Sequence, residues 1–299
     1  MVTSPLRYRG DLRAAHERLA ALPSRTVALP AGPVEYLDEG EGPTVLLVHG
    51  IFGGHDAALR LADPSVLAGR RRLAPSRFGY LGTAMPAQAS VALQADTHAA
   101  LLDVRGIDRA AVLAGSAGTT SAVELAVRHP DRVAGLVLQS SNAPGPQHDT
   151  DAMPRWLARR LWASDALMWT ARTYATRSIT SLMGIPPDLP LSPDDRARLE
   201  EELDSIFPAS RRARGCLFDA FTGNKAINTI PLEEVRAPTL VIHFRDDIGA
   251  PFSGAQTLAH RIPQAQTLFP DHGGHLGLGE HPEVSTTLRH FLDTVLPVG

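Results

Sequence analysis

The stretch Ala114-Gly115-Ser116-Ala117-Gly118 carries the strongest structural signal in this 299-residue chain. It follows an apolar run at residues 110–113, typical of a buried strand, and precedes a helical pattern over residues 119–129. A serine between very small residues at such a junction fits a turn so tight that larger neighbours would collide. The turn would hold the Ser116 hydroxyl clear of the backbone, near the free N–H groups that begin the helix. The alternative interpretation is an ordinary Gly/Ser turn.

Possible partners for this serine lie near the C-terminus, each just after an apolar run. Residues 239–243 predict a buried strand, and Asp246 and Asp247 follow it. Residues 266–269 predict another strand, followed by Pro-Asp-His-Gly-Gly-His, which ends at His275. A nucleophilic serine needs a base, and the base needs an orienting acid. The chain order serine, aspartate, histidine therefore suits nucleophilic catalysis.

This order, with each residue just past the end of a strand, resembles the α/β-hydrolases from about residue 26 to the C-terminus. Residues 44–54, Thr-Val-Leu-Leu-Val-His-Gly-Ile-Phe-Gly-Gly, are similar to the family's third strand and oxyanion loop. Residues 72–83 are similar to the loop after its fourth strand, with Ser76 in place of an aspartate and Leu81 as an extra residue. The elbow pattern G-x-S-x-G begins here with Ala114, a small departure.

The resemblance implies a catalytic site. Ser116 would be the nucleophile, Asp247 the acid and His275 the base, with the N–H groups of Ile51 and Ala117 forming the oxyanion hole. No metal or organic cofactor is implied.

Two of these assignments are choices between neighbours. Asp247 is preferred to Asp246 because relatives often place the acid four residues before a proline, which Pro251 satisfies. His275 is preferred to His272 because the paired glycines before it would let the loop approach the serine. His49, in the oxyanion loop, is expected to shape that loop by hydrogen bonding.

The strand and helix patterns predict an α/β fold with a mostly parallel eight-stranded sheet, covered by helices on both faces. The first three strand candidates are joined by short turns, which suggests an antiparallel start. Residues 1–142 and 237–299 are predicted to form the core domain. Residues 143–236 contain no convincing strand, and in relatives an insertion here is a helical cap over the active site.

The predicted cap carries aromatic and cationic side chains. Trp156, Trp162 and Trp169 all lie in it and would suit an apolar part of a substrate, or else pack the cap against the core. Four arginines of the cap could bind a substrate carboxylate or could form a solvated face: Arg155, Arg159, Arg160 and Arg172.

Composition argues against nucleic-acid and membrane partners, and the partner that the resemblance implies is a small-molecule substrate. The net charge of −3 argues against a nucleic-acid surface. No apolar run approaches the ~20 residues that span a membrane, and residues 1–20 lack a signal-peptide core, so a cytoplasmic protein is expected. The single cysteine, Cys216, excludes an intramolecular disulfide and a cysteine-rich metal site.

The function implied by the resemblance is hydrolysis of a carboxylic ester, or a lactone, of a small and largely apolar substrate through an acyl-enzyme. Two alternatives remain. One is hydrolysis of a carbon–carbon bond in a dienoic diketo acid. The other is a non-enzymatic ligand receptor on the same fold, because a fold does not guarantee an activity.

Overall fold

A single eight-stranded sheet organises the protein in a computed structural model that describes residues 5–148 and 151–298. The strands are β1 Arg25–Leu29, β2 Gly32–Glu39, β3 Thr44–Val48, β4 Arg71–Pro75, β5 Ala110–Gly115, β6 Val133–Gln139, β7 Thr239–Ile242 and β8 Gln266–Leu268. Their spatial order is β1-β2-β4-β3-β5-β6-β7-β8. β2 runs antiparallel to both of its neighbours, and the other pairs are parallel. The predicted fold class is confirmed.

The antiparallel start is only partly correct. β1 and β2 form the expected hairpin, but β3 does not continue it: β3 lies between β4 and β5 and is parallel to both. The connection before β3 contains Gly40 and Gly42, with φ of 77° and 96°. A Cβ on Gly42 would lie 2.4 Å from the carbonyl oxygen of Gly69, just before β4. The glycines therefore let the chain turn tightly past the segment that leads into β4.

Helices cover the sheet and extend from it. They are α1 Pro5–Ala20, α2 His55–Ala58, α3 Val91–Val104, α4 Gly118–Arg128, α5 Arg155–Trp162, α6 Asp165–Tyr174, α7 Thr176–Leu182, α8 Pro193–Ser205, α9 Ala213–Phe218, α10 Asn224–Ala226, α11 Phe252–Arg261 and α12 Pro282–Val295. No helix among the described residues combines the length and the apolar character needed to cross a membrane.

Two apolar cores lie on the two faces of the sheet. Along β3, Leu46 and Val48 join a core with α3, α4 and α11, whereas Val45 and Leu47 join a second core with α12. This alternation follows from the two-residue repeat of a strand, which points successive side chains to opposite faces. Both faces are buried, so β3 is apolar at every position after Thr44.

The connection from β6 to β7 is helical. It holds α5 to α10 and, in its described residues, no strand, and the predicted cap boundaries at 142/143 and 236/237 lie in loops of this connection. Residues 165–183, whose sequence pattern is helical throughout, form two helices, α6 and α7. They meet at Ala175, whose φ of −123° and ψ of 36° are not helical. No proline or glycine marks this break in the sequence.

The sequence did not indicate α1, because its surface is mostly charged and only Ala15 and Leu19 in it are buried. It packs against the cap. The indole N–H of Trp169 in α6 donates to Asp11 Oδ2 at 2.9 Å, and the Tyr8 ring meets that indole edge to face at 5.6 Å. Helix α1 thus connects the cap to the edge of the sheet at β1.

Candidate active site

Ser116 lies at the junction of β5 and α4 with a φ of 50°, in the left-handed region that L-residues rarely adopt. The residues beside Ser116 must be small because other parts of the chain lie close to their backbone. A Cβ on Gly118 would lie 2.4 Å from the carbonyl oxygen of His49, and one on Gly115 would lie 2.6 Å from Leu61 Cδ2. Ala114, the departure from the family pattern, is fully buried in β5. The turn is therefore the tight strand-to-helix elbow that the sequence predicted.

The structure brings Ser116, His275 and Asp247 into one hydrogen-bonded chain. The Ser116 Oγ lies 2.9 Å from His275 Nε2, and His275 Nδ1 lies 2.7 Å from Asp247 Oδ2. The Asp247 side chain is fully buried, and its other oxygen accepts the N–H groups of Gly249 at 2.8 Å and Ala250 at 2.9 Å. This arrangement can move a proton from the serine to the imidazole while the carboxylate fixes the tautomer.

The proposed oxyanion donors lie around this serine. A Cβ on Gly50 would lie 3.0 Å from the Ser116 Cβ, so the peptide between Gly50 and Ile51 runs beside the nucleophile. Ala117 follows Ser116 directly and begins α4. Among the described residues, neither the Ile51 N–H nor the Ala117 N–H donates to a protein oxygen. Both are thus available to an oxygen outside the chain.

His49 holds the oxyanion loop in shape. Its Nε2 accepts the backbone N–H of Arg77 at 2.9 Å, which leaves the proton on Nδ1 to be donated to the Gly50 carbonyl oxygen at 2.7 Å. Complete burial, followed by the nearby Arg77 charge, lowers the pKa of His49 well below its usual value. The neutral ring therefore supports the loop, and Ser116 has its base in His275.

The structure does not bring Asp246 or His272 to the nucleophile. The Asp246 carboxylate accepts the N–H groups of Gly274 at 2.8 Å and Gly273 at 3.2 Å, which precede His275. The His272 side chain is 80% exposed and lies 3.6 Å from Asp246. Asp246 thus holds the glycine turn that presents the imidazole, a role that the sequence analysis missed.

Two more residues around the base escaped the sequence analysis. The Ser140 hydroxyl donates to the carbonyl oxygen of His275 at 2.7 Å. Gly184, which follows α7 in the cap, accepts the backbone N–H of His275 at 3.1 Å and that of Ile248 at 3.3 Å. The φ of +78° at Gly184 suits a glycine that ends a helix, so the end of α7 could have been predicted from the sequence. The contact of Gly184 with the loops of the triad could not.

A cavity of about 330 Å³ lies between the end of β6, the cap and the loop after β7. No triad residue lines it, but three of its lining residues bind the triad: the Asn142 N–H donates to the Ser116 carbonyl oxygen at 3.3 Å, and the N–H groups of Gly249 and Ala250 donate to Asp247. Its lining includes Met153, Trp162, Phe221, Asn224, Lys225 and Pro251.

Of the three tryptophans expected to bind substrate, only Trp162 lines this cavity. Its ring meets Phe52 edge to face at 5.5 Å and lies 6.4 Å from the ring of Phe221. Trp156 is 64% exposed on the outer face of α5, and Trp169 is buried against α1. The structure therefore does not place Trp156 and Trp169 at this cavity, and it gives Trp169 the packing role that was the alternative.

Buried ion pairs join the cap to the loops of the site. Arg212 of the cap contacts Asp56 at 2.8 Å, and Asp219 of the cap contacts Arg77 at 2.6 Å. Burial raises the pKa of Asp56, but the charge and hydrogen bonds of Arg212, together with the nearby His55 and Arg60, outweigh it, and the pKa falls to about 2. Each pair is bidentate and nearly inaccessible to solvent, a geometry that fixes position. Over the described residues, no three His, Cys, Asp or Glu side chains are grouped as metal ligands.

The sheet order, the elbow and the hydrogen-bonded serine, histidine and aspartate define an α/β-hydrolase. The sequence profile of the alpha/beta hydrolase fold matches residues 43–282, and the chain belongs to that family.

Individual relatives agree with this membership. The chain is 28% identical over 248 residues to the 2-hydroxymuconate semialdehyde hydrolase of Pseudomonas sp. strain CF600, covering 82% of this chain and 84% of that protein. It is 30% identical over 247 residues to the pimeloyl-[acyl-carrier protein] methyl ester esterase of Aromatoleum aromaticum, covering 81% and 94%. The structure of an alpha/beta hydrolase fold protein from Nakamurella multipartita superposes with a TM-score of 0.67 at 27% identity, covering 92% and 99%. The protein is thus a hydrolase of this fold.

Proposed function

We propose that this protein is a serine hydrolase that cleaves a carboxylic ester, or a lactone, of a small and largely apolar substrate. The observation that supports it best is the continuous hydrogen-bonded chain from the Ser116 hydroxyl through His275 to Asp247. A base at 2.9 Å from the hydroxyl and an acid at 2.7 Å from the base have the geometry that nucleophilic acyl transfer requires.

In the first half of the reaction, neutral His275 takes the Ser116 proton through Nε2 as the serine oxygen attacks the ester carbonyl. The Asp247 carboxylate holds the Nδ1 proton and stabilises the imidazolium that forms. The negative charge on the former carbonyl oxygen is stabilised by the Ile51 and Ala117 N–H groups. The imidazolium then returns a proton to the departing alcohol, which leaves an acyl-enzyme on Ser116.

In the second half, His275 removes a proton from a water molecule as that water attacks the acyl carbon. The same two N–H groups stabilise the second oxyanion, and the proton returns to the serine as the carboxylic acid leaves. Every step uses a group within the observed hydrogen-bonded chain or the adjoining oxyanion loop.

The walls of the cavity support an apolar substrate. Trp162, Phe221 and Met153 supply aromatic and thioether surface to the cavity. Such surface gains free energy in proportion to the apolar area that a ligand covers, about 25 cal/mol per Å². The cavity volume of about 330 Å³ is within the range of small-molecule sites.

The decisive experiment is hydrolysis of a short p-nitrophenyl ester combined with labelling by a serine-directed fluorophosphonate. The wild type should hydrolyse the ester and carry the label on Ser116. Ser116→Ala should remain folded, lose the label and lose roughly three or more orders of magnitude in rate. Ser253, exposed on α11, provides the matched control, since Ser253→Ala should keep both properties. Labelling at another serine, or equal rates in the two variants, would overturn the proposal.

A second candidate, hydrolysis of a carbon–carbon bond, is favoured by the likeness to 2-hydroxymuconate semialdehyde hydrolase. The same serine and base could attack a ketone carbonyl in a dienoic diketo acid. Among the cap arginines, Arg155 lies over the ring of Phe221 at 5.7 Å, next to the cavity, whereas Arg172 is paired with Glu200 and Asp204.

Offering a dienoic diketo acid beside the ester tests this candidate. Turnover of the diketo acid with a much higher kcat/KM than any ester would favour carbon–carbon cleavage. Tight binding of ligands without turnover of either compound would favour the receptor alternative.

A further inference from the structure

The lining of the cavity contains an ion pair. Lys225 lines the cavity and is the only lysine of the chain, against 28 arginines. Its Nζ lies 2.7 Å from Oδ1 of Asp151, which lines the same cavity. The Lys225 and Asp151 side chains are 35% and 41% exposed, so the ion pair is partly solvated. A lysine here places a mobile cation within reach of whatever occupies the cavity.

Two residues of the lining carry buried polar atoms. Ser141 is 1% exposed, and its buried hydroxyl has no hydrogen-bond partner among the described residues. The buried Oδ1 of Asn224, next to Lys225 in the chain, likewise has none among them. Both residues line the cavity. The wall near Lys225 is therefore built from polar side chains, in contrast to the aromatic wall at Trp162 and Phe221.

The cavity thus has two kinds of wall. Trp162 and Phe221 are apolar, while Ser141, Asn224 and the Lys225–Asp151 ion pair are polar or charged. A purely apolar ester would contact the first kind of wall and gain nothing from the Lys225 ammonium. An occupant with an apolar chain and a terminal anion would match both kinds of wall.

We propose that the cavity binds an ester whose acyl chain ends in a carboxylate, and that Lys225 selects this group. The inference rests on the ester hydrolysis proposed above and specifies its substrate class. Asp151 already shows that a carboxylate fits beside the Lys225 ammonium. The substrate carboxylate takes the place of Asp151 in this ion pair, while the acyl chain lies along the apolar wall.

The exchange of partners limits the size of the effect. The ammonium is partly solvated, and the substrate displaces an existing carboxylate, so the preference for an anionic substrate is modest, about tenfold in kcat/KM. It also gives Asp151 a distinct role, because Asp151 competes with the substrate for Lys225. Removing the cation and removing its competitor must therefore act in opposite directions.

The experiment compares the monomethyl ester of each dicarboxylic acid from glutaric to suberic acid with the dimethyl ester of the same acid. The readout is the ratio of the two kcat/KM values, followed by titration of the released acid. The variants are Lys225→Met, Asp151→Asn and Arg13→Met. Arg13 is exposed on α1 and outside the cavity lining, so it removes the same charge elsewhere.

At one chain length, the wild-type ratio should reach about tenfold in favour of the monoester. Lys225→Met should lower that ratio about tenfold, Asp151→Asn should raise it a few-fold, and Arg13→Met should preserve it. Thermal melts identify a variant that fails to fold, and Asp151→Asn, at a partly exposed site, provides the second test.

Three results would count against the inference. A wild-type ratio near one at every length, with both esters hydrolysed, overturns the carboxylate preference and leaves ester hydrolysis standing. If Arg13→Met lowers the ratio as much as Lys225→Met does, the preference comes from the net charge of the protein and not from Lys225. Absence of hydrolysis of all esters overturns the proposed function and this inference together.

Discussion

The carbonyl oxygen of Gly184, in the cap, accepts the backbone N–H of the candidate base His275 at 3.1 Å. The same oxygen accepts the N–H of Ile248, which directly follows the candidate acid Asp247. One cap carbonyl therefore bridges the loops that carry the acid and the base. The cap contributes to the position of the triad as well as to the wall of the cavity.

Gly184→Ala should lower kcat about tenfold or more. A Cβ at this position would lie 2.6 Å from the His275 Cβ and 2.9 Å from Asp247 Oδ1, and the φ of +78° is unfavourable for alanine. Gly106→Ala is the matched control, because Gly106 has a φ of +65° but no atom within 4 Å of a new Cβ. Both variants lose roughly 1–2 kcal/mol of stability to the backbone conformation. Only Gly184→Ala should lose kcat, and equal kcat in the two would contradict the bridging role.

Asp246→Ala should lower kcat by about ten- to a hundredfold at nearly constant KM. The loop that carries His275 loses two hydrogen bonds at Gly273 and Gly274, so the imidazole is less often aligned with Ser116. Asp247→Asn should cost more, on the order of a thousandfold or beyond, because it disturbs the tautomer itself.

The control for these carboxylates is Asp271→Ala in the same loop. The Asp271 side chain is exposed and, among the described residues, forms an ion pair with Arg245 at 3.3 Å and none with the triad, so its loss should leave kcat unchanged. A larger loss for Asp246→Ala than for Asp247→Asn would reverse the assignment of the acid.

Trp162→Ala should reduce kcat/KM most for the longest acyl chains. The ring lines the cavity, and the lost apolar contact is worth about 1–3 kcal/mol, or roughly five- to 160-fold. Trp156→Ala removes an exposed ring from the same helix and should change neither the chain-length profile nor the melting temperature by much. The measurement is kcat/KM across a series of acyl lengths for both variants, together with their melting temperatures. A parallel loss for all lengths in Trp162→Ala would assign that ring to packing alone.

Acidification should destabilise the protein through its buried histidines. Burial, and then the Arg77 charge, lower the pKa of His98 to about 3, whereas an unfolded histidine titrates near ~6.5. Between these values only the unfolded chain binds the proton, so the free energy of unfolding decreases as the pH falls through this window. At pH 5 the loss from one such group is about 2 kcal/mol, and above the unfolded pKa it vanishes.

His98→Leu should therefore flatten the pH dependence by about 2 kcal/mol between pH 7.5 and pH 5, measured by urea unfolding. His16→Gln, at an exposed position of α1, should leave the difference as in the wild type. An undiminished loss of stability in His98→Leu would show that other groups carry the acid response.

The sheet and the hydrogen-bonded triad were predictable because their signals are local. The elbow requires small residues around Ser116, and the strands are short apolar runs ended by turns, so each could be located within a few residues. The order of β3 and β4 was not local. It depends on how the chain crosses the sheet after the turn at Gly40 and Gly42. The apolar pattern of a strand does not indicate which other strand it pairs with.

The cap was predictable as helical but not in its contacts. Trp156, Trp162 and Trp169 belong to two short helices, and the docking of those helices decides which ring faces the cavity. The role of Gly184 could not be predicted for the same reason. The sequence shows only a glycine that ends a helix, and its contact with the loops of the triad depends on how the cap packs. The charged helix α1 gave no apolar pattern at all.

The two buried ion pairs between cap and core, Arg212 with Asp56 and Arg77 with Asp219, have a consequence for unfolding. Detaching the cap alone would break both bidentate pairs and require water to solvate all four charged groups again. The directional geometry of the two pairs fixes the cap in one orientation on the core. We therefore expect cap and core to unfold together in a single transition.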